Sequence, residues 1–120
     1  MGKYNITTVM FLVNSFKDIV DSYGRVNRTV DLYKRQVESM IISKQISIND
    51  RDIVFELLGI VNTSNIKWST ADSKVAQFTS AMSLLLDIRD NDDRNIIINR
   101  LISTNSISES VANIIKKLYR

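Results

Sequence analysis

The 120-residue chain contains no proline and only three glycines. Proline and glycine are the residues that most often interrupt helices and build tight hairpin turns. A chain almost without them is expected to form helices joined by short polar turns, and a chain of this length can hold one hydrophobic core. We therefore predict an all-α fold in which residues 1–120 form a compact single-domain bundle of five or six helices.

Apolar residues recur at steps of three and four in the first part of the chain, as in amphipathic helices. Asn5 is placed to cap the start of a first helix, and Gly24 is placed to end it. The inward face of that helix is predicted to hold Ile6, Val9, Val13, Phe16, Val20 and Tyr23. A second helix is expected from about Arg28 to Lys44, with a narrow apolar seam of Val30, Tyr33, Val37, Met40 and Ile41.

Serine followed three residues later by an acidic residue predicts the starts of the next two helices, because the hydroxyl can cap an unpaired backbone N–H group. Ser47 with Asp50, or Asn49 alone, is expected to begin a third helix, and Ser69 with Asp72 a fourth. The residues expected to face the core are Ile53, Val54, Leu57, Leu58 and Val61 in the third helix, and Ala71, Val75, Phe78, Met82, Leu85 and Leu86 in the fourth.

The last part of the chain predicts two shorter helices that meet at a turn over residues 104–106. The run Ile96 to Ile98 is β-branched and could also form a buried strand, but no partner strand is evident, so we predict a helix. A capping box from Ser106 to Glu109 begins the final helix. Its inward residues are predicted to be Ile107, Val111, Ile114, Ile115 and Leu118. No internal repeat is visible in the sequence.

Composition argues against most catalytic chemistry. The chain has no histidine and no cysteine, which removes the usual base near neutral pH, thiolate nucleophiles and the commonest ligands of transition metals. Its scattered glycines cannot form a phosphate-cradling loop. We predict no catalytic residue, no cofactor and no metal site, and an enzyme that uses carboxylates alone is the least favoured class.

The acidic segment of residues 87–93 carries carboxylates of the kind that bind Mg²⁺ or Ca²⁺. A calcium-binding loop beginning at Asp90 would need glycine and glutamate at the positions where Asn95 and Leu101 stand. We therefore interpret these aspartates as caps of the following helix, whose positive end favours a negative charge.

Positive charge is concentrated near the end of the chain. The net charge is +3, yet from residue 94 onward five basic residues stand against Glu109 alone. This asymmetry makes the helix pair 94–120 a candidate helix-turn-helix, in which short polar side chains face base edges and basic side chains reach phosphates. The candidate nucleic-acid-binding residues are Arg94, Arg100, Ser108, Ser110, Asn113, Lys116, Lys117 and Arg120.

Two registers of that motif remain open. In one, Val111 and Ile114 form the buried pair behind a polar turn residue; in the other, Ala112 and Ile115 do so and Ile107 fills the turn. Neither register places a small residue in the preceding helix, where a tight crossing would need one. The alternative interpretation is that the basic residues complement the negative end of the last helix.

Three further residues are candidates for contact with a protein partner. Trp68, the single tryptophan, precedes a helix and is either a core anchor or an interface residue. Arg28 and Arg35 share a helix face, either as an exposed basic group or on a charge-paired surface with Asp31 and Glu38.

Together these patterns predict a non-enzymatic interaction protein that binds another protein, as a regulator, inhibitor or adaptor. The alternative is a nucleic-acid-binding regulator that uses the C-terminal helix pair. A homodimer formed through the narrow apolar seams of the first two helices is a further expectation.

The sequence also bears on location. It contains no apolar run long enough to span a membrane and no cleavable targeting signal, so we expect no membrane contact and a cytoplasmic location, in a cell or an infected host. Isoleucine, asparagine and serine are plentiful, as in proteins from AT-rich genomes, which favours a phage or viral source.

Overall fold

Six α-helices build the protein in the computed structural model, which describes residues 3–120. No strand occurs within that range, so the isoleucine run at 96–98 is helical as predicted. The prediction of an all-α single domain is confirmed. The helices are α1 (Ile6–Tyr23), α2 (Asn27–Ile42), α3 (Ile48–Leu58), α4 (Trp68–Leu85), α5 (Asn91–Ser103) and α6 (Glu109–Leu118).

Three of the predicted helix starts are capped by the expected side chains. The Asn5 side chain accepts a hydrogen bond from the Thr8 N–H group at 3.0 Å. Ser47 caps α3 and Asp90 caps α5 through equivalent bonds. Each cap satisfies an N–H group that has no partner within its helix, so local chemistry accounts for these boundaries.

Two predicted helix starts are wrong. Helix α4 begins at Trp68, before Ser69, and has no side-chain cap; Asp72 instead forms an ion pair with Arg25 at 2.7 Å. Helix α6 is capped by Ser108, not Ser106. The reason is that Ser106 lies in the turn that closes α5, where its N–H group donates to the Leu101 carbonyl at 2.9 Å.

Aromatic rings on four helices meet in the core. The Phe16 ring of α1 contacts Tyr33 of α2 edge-on, with centroids 5.1 Å apart, and stacks on Trp68 of α4 at 6.0 Å. Tyr33 also approaches Phe55 of α3. The buried Tyr33 hydroxyl donates to the Leu12 carbonyl at 2.6 Å, which satisfies its polar end inside the core.

Most residues predicted to face inward do so, and the exceptions lie at helix ends. Tyr23, Val61 and Leu86 are exposed. Tyr23 is the last residue of α1, and Val61 and Leu86 lie beyond the ends of α3 and α4. A helical stripe keeps facing the core only while the helix continues, so the apolar pattern is misleading at its last position.

The apolar seams of α1 and α2 face each other and the rest of the core. Val13, Phe16, Val30 and Val37 are all buried within the chain. These side chains are therefore not available to a second copy, so the burial of the seams does not support a homodimer formed through them.

The two halves of the chain repeat one arrangement, although no repeat is visible in the sequence. Helices α1 and α4 each contain 18 residues. Helix α1 packs against α2 and α3, and helix α4 packs against α5 and α6; α5 and α6 also pack against each other. Helix α3 joins the halves by packing against both α4 and α6. We call α1 to α3 the first unit and α4 to α6 the second unit.

The turn between the second and third helix of each unit is the same. Lys44 and Asn105 adopt left-handed backbone conformations, with φ of 63° and 60°. In both turns an isoleucine and then the capping serine follow, and the backbone hydrogen bonds close a Schellman motif. The resemblance of the two units therefore lies in the order of their helices and in this turn, where an isoleucine and the capping serine recur.

A buried carboxylate near the start of α3 contacts the start of α1. Asp50, near the start of α3, is only 3% exposed, and its carboxylate accepts a hydrogen bond from the Asn5 N–H group at 2.9 Å. The residue that caps α1 is thus held by the first turn of α3. This contact aligns the starts of the two helices.

Replacing Tyr33 with phenylalanine tests the buried hydroxyl. The loss of its hydrogen bond should lower the free energy of unfolding by about 1 kcal/mol at neutral pH. Burial also raises the pKa of the Tyr33 phenol above its usual value. The unfolded chain releases this proton near pH 10 while the folded chain keeps it, so the native protein loses stability as pH rises above about 10.

Urea unfolding of the wild-type protein, Tyr33→Phe and the exposed control Tyr23→Phe at neutral and alkaline pH measures both effects. Tyr33→Phe should show a shallower alkaline loss of stability than either of the others. Equal pH dependence in all three proteins would contradict the assigned role of the Tyr33 hydroxyl.

Candidate binding surfaces

Three of the predicted basic residues line one cavity between α5 and α6. Arg94 comes from the first part of α5, whereas Lys116 and Arg120 come from the end of α6 and the residues that follow it. The cavity has a volume of about 250 Å³ and no acidic side chain among its lining residues. We call it the basic cavity; its other lining residues are Asn91, Asn95, Ile98 and Tyr119.

Arg94 is held rigidly at this cavity. Its guanidinium lies over the Tyr119 ring, 4.4 Å from the centroid. Its Nη1 donates to the Ile88 carbonyl at 2.9 Å, and its Nη2 donates to the Asn91 side-chain oxygen at 2.7 Å. Within residues 3–120 the buried Nε of Arg94 has no hydrogen-bond acceptor. Burial raises the pKa of the Tyr119 phenol, and the charge of Arg94 partly offsets that rise.

The other predicted nucleic-acid-binding residues do not line the basic cavity. The Lys117 ammonium forms an ion pair with Glu56 of α3 at 3.1 Å, and the Ser108 hydroxyl caps α6. Ser110, Asn113 and Arg100 are exposed. The structure thus brings together three of the predicted residues and assigns two others to contacts within the chain.

A wide face of helix α6 is buried against the rest of the protein. Both pairs considered for a helix-turn-helix, Val111 with Ile114 and Ala112 with Ile115, are buried. Ile107 is buried in the turn, as the second register requires. Because α6 packs against α3, α4 and α5, its exposed side is narrow.

The residues proposed for contact with a protein lie on different parts of the surface. Arg28 and Arg35 are exposed on α2. The expected pairing of Glu38 within α2 is not found, since its carboxylate contacts Arg51 of α3 at 3.4 Å. Trp68 is half-buried and stacks on Phe16, which favours its interpretation as a core anchor.

An apolar surface that the sequence did not predict lies at the connection of α4 and α5. We call it the α4–α5 corner and define it by Leu86, Ile88, Ile96 and Ile97. Leu86 is 51% exposed and Ile96 is 58% exposed. Ile88, Ile96 and Ile97 line a shallow cavity of about 280 Å³ together with Asp93. Apolar side chains therefore face solvent as a group at this corner.

The geometry of α5 explains this exposure. Successive residues of a helix point about 100° apart, so three consecutive isoleucines cannot all face one core. In α5 only Ile98 is buried. The equivalent helix of the first unit, α2, buries Thr29, Val30, Tyr33 and Val37. The run of three isoleucines was therefore the available signal for an exposed apolar surface.

Comparison with known proteins assigns no family. No family model matches the chain, and no curated protein or solved structure matches it either. None of the helices in the described part of the chain has the length and apolar character that crossing a membrane requires.

The structural role of Ser108 can be tested by alanine substitution. Ser108→Ala should lower the free energy of unfolding by about 1 kcal/mol, because it removes the cap of α6. Ser110→Ala serves as the matched control, since the exposed Ser110 hydroxyl is not the cap. Chemical unfolding measures the effect. The assignment is contradicted if Ser106→Ala, at the position suggested by the sequence, lowers the free energy of unfolding more than Ser108→Ala does.

Proposed function

We propose that the protein is a non-enzymatic interaction protein that binds another protein through the α4–α5 corner. The observation that carries this proposal is the grouping of Ile88, Ile96 and Ile97 around one shallow cavity, with the exposed Leu86 two residues before Ile88. An apolar group of this kind gains free energy when a partner removes it from water. The gain is about 1.5–3 kcal/mol for each large aliphatic side chain that becomes fully buried.

The surroundings of the corner suit a protein partner. Asp87 and Arg89 alternate with Leu86 and Ile88 along the chain, and Asp93 lines the shallow cavity. An apolar centre with a charged rim is the usual composition of a protein–protein interface, in which the centre supplies affinity and the rim supplies orientation. The partner surface is accordingly expected to be apolar at its centre and charged at its edge.

The corner is also held in place before a partner arrives. Asp90 caps α5 immediately after the connection, and Arg94 donates to the Ile88 carbonyl. These two contacts attach the loop to the first turn of α5. A rigid surface loses less conformational entropy on binding than a mobile one, so more of the burial energy appears as affinity.

Replacing Ile96 with glutamate tests this function. A charge at the centre of the corner should weaken binding of the partner at least about tenfold, because apolar burial is lost and a carboxylate must be desolvated. The substitution is on an exposed residue and should change the free energy of unfolding by less than about 0.5 kcal/mol. Quantitative affinity capture with the full chain measures the effect.

Ile42→Glu is the matched control, because Ile42 is 73% exposed and lies outside the corner. The proposal is supported by a partner that binds in a fixed ratio at moderate salt concentration. The wild-type protein and Ile42→Glu should both capture that partner, and Ile96→Glu should not. Equal capture by all three proteins, or background alone, contradicts it. Light scattering of the purified chain shows whether the partner is a second copy.

A second candidate function is binding of nucleic acid by the basic cavity side of the C-terminal helix pair. Its supporting observation is that Arg94, Lys116 and Arg120 converge without an acidic lining residue. Cations grouped in this way attract phosphate groups and release counterions when they bind, so affinity falls as salt rises.

A gel-shift assay with DNA and RNA at low and moderate salt tests this second function. Retention should fall steeply with salt and should be lost in Lys116→Glu. Lys17→Glu, an exposed substitution on α1, is the control for net charge and should lose much less. No retention at low salt, or equal loss in the two variants, would remove nucleic acid as a ligand.

A further inference from the structure

We propose that the basic cavity between α5 and α6 is a binding site for one doubly charged phosphate group, either free or as a phosphate monoester. The inference does not rest on the protein-binding function, because the cavity is lined by the Asn91, Arg94 and Asn95 side of α5, whereas Ile96 and Ile97 line the corner.

The charge of the cavity has no counterpart within the chain. Arg94, Lys116 and Arg120 line it, and none of them forms an ion pair with an acidic residue in the described range 3–120. Three like charges that face a common space repel one another and create a positive potential there. A bound anion relieves that repulsion.

Helix-end electrostatics explain only part of this arrangement. Lys116 and Arg120 lie at the end of α6, where positive charge complements the negative pole of the helix. Arg94 lies near the start of α5, where the helix already presents its positive pole. Asp90 caps that pole, and Asp92 and Asp93 follow in the first turn, but none of these aspartates lines the cavity or forms an ion pair with Arg94.

The donors are arranged in advance. The guanidinium of Arg94 is held by two hydrogen bonds and by the Tyr119 ring, so little freedom remains to be lost on binding. Its Nε–H group still lacks an acceptor among residues 3–120. Asn91 offers Arg94 its oxygen, which leaves its NH₂ group as a donor. Arginine with amide donors is a common setting for phosphate.

Size and charge select the ligand class. A volume of about 250 Å³ exceeds the roughly 30 Å³ that a water molecule occupies in the liquid, so a phosphate group fits with some of its water. Three cations match a monoester phosphate, which carries a charge of about −2 near neutral pH. A backbone phosphodiester carries only one charge per phosphate, so a terminal phosphate matches the three cations better than the backbone phosphates of the second candidate function do.

Nuclear magnetic resonance titration of the full chain with inorganic phosphate at constant ionic strength tests the site. Saturable shifts are expected for the Arg94 Nε–H group and for the side-chain amides of Asn91 and Asn95. Lys116→Gln and Arg120→Gln should each weaken binding about tenfold, since each removes a charge-assisted contact. Lys117→Gln is the matched control, because Lys117 pairs with Glu56 and lies outside the cavity lining.

A second pair of ligands identifies the chemistry that is recognised. Adenosine monophosphate should shift the same signals, because it carries a phosphate monoester, and adenosine should not. This result is expected whether the natural ligand is free phosphate or a phosphate monoester. The proposal is overturned if the shifts do not saturate or if chloride reproduces them. It is also overturned if Lys117→Gln reduces them as much as Lys116→Gln does. Equal binding of adenosine and adenosine monophosphate also overturns it.

Discussion

The contact on which the fold depends most is the cluster of aromatic rings formed by the buried Phe16 and Tyr33 and the partly buried Phe55 and Trp68. Tyr33, Phe55 and Trp68 reach this cluster from α2, α3 and α4, so it joins the first four helices. The rings combine a large buried apolar area with a preferred relative geometry, and the Tyr33 hydroxyl satisfies its polar end on the Leu12 carbonyl. The cluster therefore sets both the distance and the orientation of these helices.

Helix α3 extends this order to the second unit. It packs against α1 in its own unit and against α4 and α6 in the next, so the two units share one continuous core. Within the second unit α5 contributes one fully buried residue, Ile98, while Ile97, Leu101 and Ile102 are partly buried against the core. The α4–α5 corner and the basic cavity lie on two sides of this helix. Arg94 contacts both, because it donates to the Ile88 carbonyl at the corner and lines the cavity.

The candidate sites were predictable only in part. Composition alone identified the excess of basic residues after residue 94, because charge is read directly from the chain. It could not separate Lys116, which lines the cavity, from its neighbour Lys117, which pairs with Glu56 of the other unit. That partner is distant in sequence, and no local pattern connects the two. The apolar corner had a signal in three consecutive isoleucines, but exposure could not be inferred without knowing which side of α5 faces the core.

By itself the sequence determined the helical class and the starts of α1, α3 and α5. Helical periodicity and the caps at Asn5, Ser47 and Asp90 act between residues within about one turn, so they are readable locally. Only the tertiary structure decided that two similar units share a core, that Ser106 ends α5 instead of starting α6, and that three cations meet at one cavity. These features arise from packing between residues that are far apart in the chain, and their free energies depend on the relative positions of whole helices.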